Sequence, residues 1–488
     1  MDSRAPVGGA TALDPPVADA STHELRPDVV SLPMSVLIGV ATSAPGQSTA
    51  VAIAGMVAVS AYASGPAILL SMFPMLAIAL CFRQLNRWEP NCGGPYVWIA
   101  RAVNPYVGFL AAWAMLVGFV LASVSNILPL GPALLSLVGL SASGVVGNLL
   151  TATLFGLGLT VIAAVGIRAT ARFQLAIATI EYATLLVFSA IAFWAVFVEH
   201  RPGTVHPSLA WLHLGGVGGK GSIAGAMLVA IFLFTGWDAS IYIGEETRRK
   251  RINPGRAALI SVVLLGPIYA WLFVSFQGVV PEAQLQAHAG DALPYIAQVL
   301  VGSGWAKFMA VAVVLSVLGT TQAVIVNFSR ITYSMGTDRL LPGMFARVNS
   351  RFKTPLRATV FWGCAMVAVA DLYVVSSSLA SAFDDVVNAE AIAFTVLFIL
   401  TAVATIWCYR RILRRSVVDL AVAGVFPLFG ATVLTWVLVR SIPELDATAR
   451  WTVAGVGMLG VALMGVSAWL FRSPFFKIRP SAYSPDST

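Results

Sequence analysis

Residues 221–246 form an apolar run long enough to cross a bilayer, but its centre reads Phe234-Thr235-Gly236-Trp237-Asp238. Few folds accommodate such a segment. Hydrocarbon supplies no hydrogen-bond partners, so a helix that opens at membrane depth must turn its free N–H and C=O groups toward protein, water or a solute. Interrupted spans of this kind mark the binding sites of secondary transporters.

The remainder of the chain fits a membrane setting: 58% of its 488 residues are hydrophobic, 11% are charged, and the mean hydropathy is +0.84. A hydrocarbon core of about 30 Å takes roughly 20 apolar residues per helix. Spans are expected at 33–60, 66–83, 105–128, 147–167, 173–198, 221–246, 258–280, 306–332, 357–375, 385–407, 418–438 and 451–471. The sequence thus predicts an all-α membrane protein with about twelve transmembrane helices.

The net charge of +8 does not point to nucleic acid, because 25 of the 30 Lys and Arg residues fall on one side of this span map. Only Arg201, Lys220, Lys307, Arg440 and Arg450 fall on the other. That bias places both termini in the cytoplasm of a multi-pass cell-membrane protein. Residues 1–30 are rich in Pro, Ala and Asp and read as a disordered cytoplasmic tail rather than a signal peptide. Cys81, Cys92, Cys364 and Cys408 lie in spans or on the cytoplasmic side, where a disulfide is not expected. His23, His200, His206, His213 and His288 all lie outside the spans, so no metal site, no cofactor and no embedded metalloenzyme is expected.

A second break stands in the first span, at Ala41-Thr42-Ser43-Ala44-Pro45-Gly46-Gln47. Pro45 removes a backbone donor and Gly46 loosens the helix. The breaks open two blocks of five spans, 31–198 and 221–407, separated by an extracellular loop at 199–220. An odd number of crossings per block inverts the second block relative to the first, as in inverted-repeat carriers. Two further helices (408–471) and a cytoplasmic tail (472–488) complete the chain.

Three segments carry a family resemblance. "GGPYVWIARAVNPYVGFLAAW" (93–113), "FLFTGWDASIYIGEETRRKRINPGRA" (232–257) and "SRITYSMGTDRLLPGMFARVNSRFKTPLRA" (329–358) stand in the order and at the topological places of the amino acid-polyamine-organocation superfamily of permeases, which the chain resembles over nearly its whole length after the tail. The resemblance implies the five-plus-five inverted-repeat fold and a small organic substrate. The first span departs from the pattern. Much of the family has a Gly-x-Gly break where this chain has "TSAPGQ".

The breaks predict a clamp for a zwitterion. Helix restart after Pro45 aims the amides of Gly46, Gln47 and Ser48 into the gap, where a substrate carboxylate fits. Carbonyls at Thr42, Ser43 and Ala44, and others before Gly236 near Thr235, offer acceptors for an ammonium group. No Lys or Arg is expected at mid-membrane depth. The resemblance implies an aromatic gate at Phe232, with core packing as its alternative, and Trp237 is a second candidate for lining the pocket. Asp238 either caps the half-helix that follows it or links the break to neighbouring helices. The resemblance also implies that the third span lines the pocket, where Ser123 and Asn126 share a face. Glu245 and Glu246 read as a solvated interface or an inner-gate contact.

Glu181 lies about 12 Å into the fifth span by helical rise. A carboxylate there is costly unless protonated or paired. Proton-coupled relatives often carry a lysine at what looks like the same place, so the charge is reversed here. Glu181 is a proton carrier, or joins Thr320, Thr321 and first-span carbonyls around a cation such as sodium, or is a structural hydrogen-bonded acid. Glu390, expected close enough to the outer surface to be hydrated, and the shallower Asp371 are weaker candidates.

These features predict a secondary transporter for an amino acid or related amine, with proton symport favoured over sodium coupling or amino acid exchange. A channel would show a continuous polar stripe, and a sensor would add a soluble domain. The extracellular segment 129–146 contains no Cys, so a disulfide-linked heavy chain, which the resemblance implies for heteromeric animal members, is not expected.

Overall fold

The computed structural model describes residues 25–127, 145–214, 222–375, 383–444, 447–470 and 472–483, together with Leu134 and Leu137. Residues 1–24 of the expected tail and most of the Cys-free segment 129–146 lie outside the described residues. Residues 25–30, expected to be part of that tail, are instead docked. The amides of Val29 and Val30 donate to the Glu246 carbonyl at 2.9 and 3.0 Å, and the Arg248 amide donates to the Val30 carbonyl at 2.9 Å.

The described residues are helical with no β-strand beyond one isolated bridge, Val30 to Thr247. Among the described residues ten helical segments are long and apolar enough to cross a membrane. The other two predicted spans are Leu356–Val375 and the broken sixth span, whose halves are Ile223–Leu233 and Ala239–Tyr242. The first span is likewise split into Leu32–Thr42 and Pro45–Ser60. The "GGPYVWIARA" segment forms a short helix, Pro95–Ala102, before the third span, Pro105–Ile127. The eighth span, Ser303–Thr337, is 35 residues long. At 1.5 Å per residue it measures about 52 Å and overshoots the hydrocarbon core.

Helix packing reveals a repeat that residue identities hide. The second span (Ser64–Trp88) packs on the seventh (Asn253–Phe276), the fourth (Val145–Val165) on the ninth, the third on the tenth (Phe383–Tyr409), and the fifth (Ile167–Phe193) on the eighth. Advancing each span by five maps the third–tenth pair onto the eighth–fifth pair and returns the other two pairs to themselves. This is the contact pattern of two interlocked inverted blocks. The two breaks meet between them. Gly236 has φ +97°, and a Cβ on it would sit 2.8 Å from both the C and O atoms of Thr42.

Candidate substrate site

The first break is made by its own sequence. Ala44 adopts the left-handed conformation (φ 46°), Pro45 starts the next half-helix without an N–H, and the Ala44 amide folds back to the Ala41 carbonyl at 3.1 Å. Thr42 and Ser43 turn their hydroxyls onto the carbonyls one turn earlier, Ile38 at 2.6 Å and Gly39 at 3.3 Å. In the sixth span the Phe232 carbonyl accepts both the amide of Thr235 at 2.9 Å and its hydroxyl at 2.7 Å, which ends that half-helix.

The helix-restart amides are not free, contrary to the expectation of a substrate carboxylate there. The Gly46 N–H donates to Glu181 Oε1 at 2.9 Å, the Gln47 N–H to Ser316 Oγ at 3.1 Å, and the Ser48 N–H to the Ala44 carbonyl at 2.8 Å. Ser316 Oγ donates in turn to Glu181 Oε1 at 2.7 Å. A protein carboxylate thus fills the position a helix N-terminus reserves for an anion. The Ser43 carbonyl is also engaged, by the hydroxyls of Ser48 and Tyr269.

A small cavity of about 40 Å³ lies between the breaks. That is room for about three water molecules. From the first break Thr42, Ser43, Ala44 and Gln47 line it, and from the sixth span Phe232, Thr235, Gly236 and Asp238. Asn126 and Thr320 also reach it. Pro45 and Gly46 do not line it, and neither does Ser123, whose hydroxyl returns to the Phe119 carbonyl at 2.7 Å. Trp237 is turned away, fully buried against Phe82 and Phe398 at centroid distances of 4.9 and 5.7 Å. Asp238 makes no side-chain cap. Its carboxylate accepts the Tyr242 hydroxyl one turn on.

Glu181 is 2% exposed and stands behind the cavity wall. The hydroxyl of Thr320 is spent on the Ser316 carbonyl at 2.9 Å, while that of Thr321 has no partner. The residue beside Glu181 is Ser316, which the sequence reading missed. Glu390 was misplaced: it is 3% exposed, lines the cavity and accepts the Ser125 hydroxyl at 2.8 Å. Asn327 also lines the cavity unforeseen. Ser316, Thr320 and Asn327 are spaced by four and seven residues, a single helical face that periodicity alone could have exposed.

Glu246 and Arg330 are not solvated. They form a buried ion pair, Nε to Oε2 at 2.9 Å, with relative exposures of 1% and 0%. Burial of the arginine inside the eighth span is tolerated because guanidinium and carboxylate meet through two bonds, the second at 3.3 Å.

The family model for amino acid permeases matches residues 29–473. The chain belongs to that family. It is therefore a multi-pass membrane transporter and not an enzyme. Similar proteins include the methylthioribose transporter of Bacillus subtilis, 26% identical over 330 residues (64% of this chain, 68% of the relative). The low-affinity putrescine importer PlaP of Escherichia coli is 23% identical over 419 residues (83% and 86%). The branched-chain amino acid permease BcaP of Bacillus subtilis is 26% identical over 385 residues (74% and 76%). The substrates after which these relatives are named differ in charge and shape, so this chain's own cavity has to decide its solute.

Proposed function

We propose that this permease is a secondary active carrier that moves an amino acid or related organic amine across the cytoplasmic membrane by alternating access, coupled to proton symport, with both termini in the cytoplasm. The observation that carries the coupling is the Glu181 carboxylate. It has no cationic partner among the described residues, and it joins the Gly46 amide of the broken first span to Ser316 of the eighth. An ionised carboxylate is the stronger acceptor for both donors. Proton binding weakens both bonds at once and loosens the first span from the eighth, the kind of differential contact that shifts a two-state equilibrium. The one-sided distribution of basic residues supports the orientation.

The test is uptake into proteoliposomes of an amino acid and amine panel under imposed proton or sodium gradients, for wild type and Glu181→Gln. Saturable accumulation driven by protons and lost in the variant, with counterflow retained, is the expected result. Unchanged proton-driven accumulation in Glu181→Gln overturns the role of Glu181, and accumulation that follows sodium alone overturns proton coupling. Uptake that requires internal solute identifies an exchanger instead.

A further inference from the structure

We infer that the cavity between the two breaks is built for an organic diamine, a chain with an ammonium group at each end and no carboxylate. The inference deepens the transport reading above. Its ground is charge balance. Two acids, Asp238 and Glu390, line the cavity at 1% and 3% exposure, and among the described residues no Lys, Arg or His lines it. Each acid has one neutral side-chain donor, Tyr242 for Asp238 and Ser125 for Glu390, and neither is in an ion pair. A buried acid without a counter-charge is costly, and a bound cation supplies what the protein leaves out.

Unused hydrogen-bonding groups point the same way. Gln47 Oε1 and both amide atoms of Asn327 are buried without partners, and both residues line the cavity. Gln47 Oε1 and Asn327 Oδ1 are acceptors, suited to N–H donors from a solute. Phe119 packs at 5.5 Å from Tyr242 and 5.6 Å from Phe394, giving aromatic faces for an alkyl chain and its cationic ends. For a substrate carboxylate the cavity offers one unpartnered buried side-chain donor among the described residues, Asn327 Nδ2, against the two acceptors. The amides of Gly46 and Gln47 are held by Glu181 and Ser316, and a carboxylate would stand beside two buried acids.

The solutes that separate these readings are 1,4-diaminobutane, 1-aminobutane, ornithine and leucine. Ornithine is the diamine with one carboxylate added, so the pair isolates that group. Binding is read on purified full-length protein by thermal stabilisation, without a gradient, and by competition in the proteoliposome assay. Loss of one fully desolvated charge pair lowers affinity roughly tenfold or more. Diaminobutane is therefore expected to bind about tenfold or more tighter than 1-aminobutane and ornithine. Glu390→Gln should bring diaminobutane down to the level of 1-aminobutane, and a cooperative solute-free unfolding transition with an unchanged helical circular dichroism spectrum shows that the variant is folded.

Ornithine or leucine binding as tightly as diaminobutane overturns the inference, as does a diamine-to-monoamine ratio unchanged by Glu390→Gln. Amine binding without any uptake overturns the transport reading alone. Saturable amino acid uptake that amines do not compete for overturns the diamine reading alone.

Discussion

The backbone N–H of Gly46 donates to Oε1 of Glu181 at 2.9 Å, joining residues 135 positions apart in the chain. The bond places an acid of the fifth span on the positive end of the second half of the first span, beside Ser316 of the eighth. Three elements, the first, fifth and eighth spans, therefore share one hydrogen-bonded group.

Ser316 is the hinge of that group, since its hydroxyl accepts from Gln47 and donates to Glu181. Ser316→Ala leaves a buried amide and a buried carboxylate each short of a partner, at a cost of about 1–3 kcal/mol. A double-mutant cycle of Ser316→Ala with Glu181→Gln, read by thermal unfolding, should show coupling of about 0.5–3 kcal/mol. Strict additivity of the two changes would count against the shared contact.

Gly236→Ala should abolish uptake. The position has φ +97°, and the new methyl would press on the Thr42 carbonyl, which is backbone and cannot swing aside. Strain of this type costs about 1–3 kcal/mol before any clash is added. Gly55→Ala is the control, because a methyl there meets nothing within 4 Å and the residue lies inside a helix. That change should be neutral or stabilising by up to about 1 kcal/mol. Equal loss of uptake in both variants would show that the contact between the breaks is not special.

Much of the fold was legible because lipid enforces length and apolarity. The two breaks and the ten apolar spans found among the described residues follow from residues that punctuate apolar runs. What stayed hidden depends on which acid meets which donor. Glu390 read as hydrated because its depth was judged from a boundary, whereas a side chain's exposure depends on its neighbours, here Ser125 of the third span. The Gly46 amide read as free because a helix N-terminus announces a vacancy for an anion without saying which carboxylate comes. The pairing of Arg330 with Glu246 stayed hidden because the two lie 84 residues apart in the chain.

The Arg330–Glu246 pair fastens the end of the sixth-span segment to the eighth span. Arg330→Met leaves the Glu246 carboxylate buried and unpaired, and should cost about 3–5 kcal/mol. Removing both charges together, as Arg330→Met with Glu246→Leu, should recover most of that loss. Thermal unfolding of the two single variants and the double variant checks this. A double variant no more stable than the singles would mean that the pair's hydrogen bonds, and not its charge balance, hold the two elements together.

Asp338 follows the eighth span, beyond its last membrane-crossing turn, and accepts the Tyr96 hydroxyl at 2.9 Å. Burial raises its carboxyl pKa; the Tyr96 bond and the nearby Arg101 pull it down, while Glu89 and Glu245 push it up, and the net direction is upward. A folded-state pKa above the unfolded one means that the contribution of this group is fully present below the unfolded value, about 4, and is lost as pH rises through the raised value. Asp338→Asn removes the titration while keeping an acceptor for Tyr96. Across pH 4 to 8 the wild type should therefore lose stability relative to Asp338→Asn, measured as a narrowing or reversing gap between their unfolding temperatures. A gap that widens in favour of the wild type with rising pH would show that the ionised form is the one the fold prefers, and that Tyr96 and Arg101 outweigh burial.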